Sequence, residues 1–87
     1  MSKDYYAKAF GEVLKDARDA NGFTQEKLAE KSLLDRTYIS LLERGKRQPS
    51  LTTLFQIAVV LNLSPSTLVK LTEKKYHEII EKRNSDK

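Results

Sequence analysis

From Tyr5 onward, Tyr6, Phe10, Val13, Leu14 and Ala17 recur at steps of three and four residues, a spacing that predicts a helix with one apolar side. Asn21-Gly22 is its expected stop. Gly11 lies inside it at a cost of roughly 1 kcal/mol relative to Ala, which points to close packing. Thr24 is the expected N-cap of a second helix, Gln25 to Lys31, with Leu28 and Ala29 facing inward. Ser32-Leu33-Leu34 reads as a turn, and Asp35 as the N-cap of a third helix, Arg36 to Arg44, that stops at Gly45. After Lys46-Arg47-Gln48-Pro49, Ser50 opens a fourth helix, Leu51 to Leu61. Its inward stripe is read as Leu51, Leu54, Phe55, Ala58 and Leu61, with Val60 on the opposite side. Ser64-Pro65 starts a fifth helix reaching about Lys82, with Leu68, Val69, Thr72, Tyr76, Ile79 and Ile80 on its apolar side. Met1 to Asp4 and Asn84 to Lys87 are expected to be loose. The expected fold class is all-α, with five helices.

The third helix has two unlike faces. With Ile39 at the origin and about 100° per residue, Leu42 falls beside it. Thr37, Ser40, Leu41 and Arg44 fall on the far side, and Arg36 lies at the rim. Ile39 and Leu42 are thus anchors. The outer face carries hydroxyls and guanidinium groups, which hydrogen-bond to base edges or phosphates.

Composition narrows the field. Eighty-seven residues are expected to form one domain, burying roughly 60–65% of the extended chain's surface. The chain has no cysteine, hence no disulfide framework or thiolate metal site. It has no apolar run of the roughly 20 residues that span a bilayer and no opening signal peptide, so a cytoplasmic protein is expected. Net charge is +4, and between positions 36 and 50 Arg36, Arg44, Lys46 and Arg47 face only Glu43, a local +3. That concentration suits a polyanion, although a solvated basic surface gives the same count. His77 and the Glu12, Asp16 and Asp19 carboxylates read as solvated surface, and no metal, cofactor or small-molecule ligand is implied.

The segments TQEKLAEKS, YISLLERGKRQPSL and LFQIAVVLNLSP, preceded by FGEVLKDARDANGFTQ, resemble the phage-repressor, Cro-like (XRE-type) helix-turn-helix family. DRTYIS followed by ER and a basic loop is also similar to the small controller proteins of restriction–modification systems. The resemblance implies a lambda-repressor-like domain with the helix-turn-helix at helices 2 and 3. It implies that Gln25 contacts phosphate and buttresses the recognition helix, and that Arg36, Thr37, Ser40 and Leu41 face the major groove. Tyr38 and Arg47 match phosphate or base contacts of the controller-like relatives, and Arg18 matches an arginine paired with the residue at Glu43. Thr24, Lys46 and Arg47 would hold the DNA backbone, and Arg36 or Arg44 would take a guanine. Leu41 is open to two roles, contact with a thymine methyl or packing on Tyr38 or Thr37. The sequence departs from the family in the turn, where Leu33 stands in place of the usual glycine, so the turn is reshaped or Leu33 strained.

One such domain contacts few base pairs, and relatives dimerise to meet two half-sites. Val60, Tyr76, Ile79 and Ile80 are the expected dimer residues; folding of helix 5 onto the chain's own core would bury them instead. The expected function is sequence-specific binding of double-stranded DNA as a homodimeric transcription regulator, with no enzymatic activity. An antitoxin-like module that binds a partner protein and represses its own operon is the alternative. A lone histidine, no cysteine and no glycine-rich phosphate loop speak against an enzyme.

Overall fold

The computed structural model describes residues 4–85, so the expected looseness at Met1–Lys3 and Asp86–Lys87 lies outside it. Within that range there are five helices and no strand: α1 Tyr5–Ala20, α2 Gln25–Ser32, α3 Arg36–Glu43, α4 Leu51–Val60 and α5 Pro65–Ser85. No single helix among the described residues is long and apolar enough to cross a membrane. No group of three or more His, Cys, Asp or Glu side chains among them is placed to hold a metal ion.

Local chemistry sets the boundaries. Asp4, Thr24, Asp35, Ser50 and Ser64 each accept a backbone N–H from the first turn of the following helix. These bonds satisfy donors that have no partner within the helix. Gly22 and Gly45 take positive φ just beyond the ends of α1 and α3, where a residue without Cβ is unstrained. Arg44 is the C-cap of α3 rather than its last helical residue. Helix α5 runs past Lys82, so Asn84 and Ser85 are helical rather than loose.

Leu14, Leu28, Ile39, Leu42, Ile57 and Leu68 are fully buried and supply one or more side chains from every helix. Ala29 and Ala58 are buried in the same cluster. Fully burying each large side chain contributes roughly 1.5–3 kcal/mol. Helix α1 lies along α5 and also packs on α3, while α2 is held between α3 and α4.

Three expected faces are corrected. On α4 the inward side is Thr53, Ile57, Ala58 and the capping Leu61, with Leu54 half-buried. Leu51 and Phe55 point outward and are 72% and 51% exposed. Val60 is not on the outer side; it packs against the core, and its neighbour Val59 is the exposed residue, at 75%. On α1, Tyr6 leaves the core and stacks on Tyr76 of α5, ring centroids 4.2 Å apart. Val69 is likewise half exposed rather than inward.

The turn between α2 and α3 is kept and strained rather than reshaped. Leu33 sits at φ 61°, ψ 36°, and its side chain is 85% exposed. Left-handed backbone costs a non-glycine residue roughly 1–2 kcal/mol, and here no burial of that side chain offsets it.

Candidate nucleic-acid interface

The two helices of the turn are fixed by a small buried network. The Arg18 guanidinium on α1 donates from Nε to Glu43 Oε2 at 2.6 Å and from Nη2 to Oε1 at 3.0 Å. Its Nη1 donates to the Phe23 carbonyl at 2.8 Å. Gln25, first residue of α2, donates from Nε2 to Glu43 Oε1 at 3.0 Å. The arginine and glutamate side chains are only 11% and 4% exposed. The Glu43 carboxylate raises the Arg18 pKa above its ordinary value, chiefly by hydrogen bonding. One carboxylate at the end of α3 therefore ties together the body of α1 and the start of α2. That fixes how α3 stands relative to the rest of the chain.

Gly11 sets the approach of α1 to α3. A Cβ built on it would lie 2.6 Å from the Glu43 carbonyl oxygen and closer still to that of Leu42. The glycine thus lets the C-terminal end of α3 touch the α1 backbone, which brings Glu43 within reach of Arg18.

With Ile39 and Leu42 inside, α3 turns Arg36, Thr37 and its capping residue Arg44 to solvent. Ser40, Leu41 and Tyr38 are half-buried at the edges of that face. Tyr38 packs on the core through its ring and donates its hydroxyl to the Gln48 carbonyl at 3.4 Å. The Arg47 guanidinium lies over the same ring, 5.8 Å from its centroid. Lys46 and Arg47 are exposed in the loop after α3. Thr24 is exposed at the start of α2, and its hydroxyl oxygen caps the Lys27 N–H. Arg36, Thr37, Arg44, Lys46 and Arg47 therefore lie on α3 and the loop it feeds.

Two residues at this surface carry no signal in the sequence. The Gln48 side-chain amide donates to the Asp4 carboxylate, so the basic loop is tied to the cap of α1. The Ala7 backbone N–H and then the Gln48 amide hold the Asp4 carboxyl below its ordinary pKa. Asp4 and Gln48 are 44 positions apart and belong to no local pattern.

Of the expected dimer residues, Val60 is packed inward, and Tyr76, Ile79 and Ile80 are half-buried. On α4 the outward apolar residues are instead Leu51, Phe55 and Val59, one turn apart. Beside them Leu54 and Val69, with Tyr6, line a groove of about 190 Å³ between α1, α4 and α5.

A family model described as helix-turn-helix matches residues 14–68. Control protein C.SmaI of Serratia marcescens is 43% identical over 58 residues, covering 67% of this chain and 69% of that protein. Among solved structures, the restriction–modification controller protein C.Esp1396I, as a tetramer in complex with its natural 35 base-pair operator, superposes with a TM-score of 0.76 at 36% identity. The match covers 84% of this chain and 96% of that one. The clp gene regulator ClgR from Corynebacterium glutamicum shares the fold over 98% of this chain and 90% of its own, with a TM-score of 0.90 at 24% identity.

Proposed function

The chain belongs to the helix-turn-helix family of transcription regulators, and from that premise we propose that it binds operator DNA as a homodimer, inserting α3 into the major groove of each half-site. The observation that carries this reading is the division of α3. Ile39 and Leu42 are fully buried while Arg36, Thr37 and Arg44 face outward beside the exposed Lys46 and Arg47. A helix fits the major groove and offers three or four side chains to base edges. Arg36 and Arg44 are suited to bidentate bonds with guanine, and Thr37 and Ser40 to bases or phosphates. Leu41 borders the same face and is suited to a thymine methyl. Thr24, Gln25, Tyr38, Lys46 and Arg47 hold the DNA backbone and fix the register. Gln25 does so while its amide braces Glu43. This role is recognition, not catalysis.

The test separates reading from holding. Arg36→Ala and Thr37→Ala should each remove roughly 1–3 kcal/mol from binding to an operator selected from random duplexes, and far less from binding to random DNA. Lys46→Ala should weaken both alike and lower the slope of log K against log salt by about 1. Equal losses on selected and random duplexes for all three variants would refute the assignment of α3.

The dimer surface best supported is the outward face of α4 with the adjoining groove at Leu54 and Val69, in place of Val60. The half-buried Tyr76, Ile79 and Ile80 extend it along α5. An apolar stripe of Leu51, Phe55 and Val59 is costly to leave in water and suits a second copy of the chain. Phe55→Asp should turn the dimer into a monomer in sedimentation at micromolar concentration. It should also weaken operator binding on the order of 100-fold, because two half-sites are no longer engaged together. An undiminished dimer in that variant would move the interface elsewhere.

A further inference from the structure

We propose that the C-terminal turn of α5 carries a second DNA-backbone contact, in which Lys82 and Arg83 bind phosphates flanking the half-site read by α3. The proposal rests on the DNA-binding reading above and extends it to residues outside the helix-turn-helix. Helix α5 continues 17 residues beyond position 68, where the family match ends, to Ser85. That extension lies along α1 and brings the Arg83 guanidinium over the Tyr5 ring, 5.4 Å from its centroid.

Tyr5 follows Asp4, whose carboxylate holds the Gln48 amide of the basic loop. Gly45 of that loop rests against Lys8, where an added Cβ would lie 3.0 Å from the Lys8 Cα. The first turns of α1 therefore bridge Lys46 and Arg47 on one side to Arg83 on the other. Arg83 and Lys82 are exposed, and among the described residues neither forms an ion pair. Among the described residues the nearby carboxylates on α5 are Glu81, beside Lys82, and Glu78, which pairs with Lys75.

A cation at a helix C-terminus is also favoured by the helix dipole. That effect accounts for charge in the last turn but not for the seating of Arg83 on Tyr5 at the start of α1, whose neighbours Asp4 and Lys8 touch the basic loop. An arginine fixed on an aromatic ring loses less freedom on binding a phosphate. B-DNA continues past both ends of a half-site, so a backbone contact there adds affinity without sequence preference.

The experiment compares two duplexes, a selected operator trimmed to its ends and the same operator with about 10 added base pairs on each side. Binding of the full chain is measured by fluorescence anisotropy across a salt series. The wild type should show a steeper salt dependence on the long duplex than on the trimmed one. In Lys82→Gln/Arg83→Gln that difference should vanish, while trimmed-duplex affinity stays unchanged. Each lost phosphate contact lowers the slope by about 0.9. On the long duplex, the deficit of the double variant should therefore shrink about 10-fold between roughly 50 and 200 mM salt. Arg83→Lys, which keeps the charge, should restore most of the slope.

Identical slopes for the wild type on both duplexes would overturn the proposal whatever the variants do. So would a double variant that melts earlier but keeps the wild-type slopes, since its cations would then serve only the helix end. Either failure would leave the Arg36 and Thr37 losses on the trimmed operator standing, so it is distinguishable from failure of the α3 reading.

Discussion

Glu43→Ala is expected to destabilise the fold by about 3–5 kcal/mol, the range for removing one partner of a buried ion pair. The loss is large because the carboxylate has three donors, two from Arg18 and one from Gln25, and the arginine it leaves behind is almost fully buried. Arg18→Ala should cost a similar amount by stranding Glu43. The double replacement Arg18→Met/Glu43→Leu should recover most of the loss, because an apolar pair carries no desolvation penalty. It should nonetheless weaken operator binding, since α3 would no longer be tied to α1 and α2 by directed hydrogen bonds. Denaturant melts of the two single variants and the double variant give the coupling energy. Strictly additive losses would mean that the pair does not act as a unit.

Gly11→Ala is expected to destabilise the protein by about 1–3 kcal/mol, opposite in sign to the gain of roughly 1 kcal/mol that the same change gives in a free helix. The added methyl would meet the Leu42 and Glu43 carbonyl oxygens, which are backbone and cannot rotate away. The end of α3 must then move off α1, which also lengthens the Arg18–Glu43 hydrogen bonds. Operator binding should fall with stability. A Gly11→Ala protein that melts at or above the wild-type temperature would show that α1 and α3 do not meet as closely as described.

The helices were legible because capping residues and apolar spacing agreed at nearly every boundary. Asp35, Ser50 and Ser64 each announce a start, and Gly22 and Gly45 each follow an end. The face of α4 was not legible for a physical reason. LTTLFQIAVV carries apolar side chains around most of its circumference, so periodicity allows two buried arcs. Docking on α2 and α5 chooses between them, placing Ile57 inside and Phe55 outside. The outward residues of α3 followed from its own sequence, because Ile39 and Leu42 are apolar within an otherwise mixed helix. The Arg18–Glu43–Gln25 network did not, since its members are separated by 25 and 18 positions and only the family resemblance pointed to it. The tie from Gln48 to Asp4 joins residues 44 positions apart that share no local pattern. Leu33 was visible as an anomaly, and the structure shows that the chain adopts the left-handed turn without glycine.

The most direct test of α3 as the reading helix is dimethyl sulfate protection on a selected operator, which reports guanine N7 atoms in the major groove. Bound protein is expected to protect guanines in two patches about one helical turn apart, and Arg36→Ala, at concentrations restoring occupancy, should lose protection of the guanine that Arg36 reads in each patch. Full occupancy with every guanine N7 still reactive, or protection unchanged by Arg36→Ala, would contradict that role for α3.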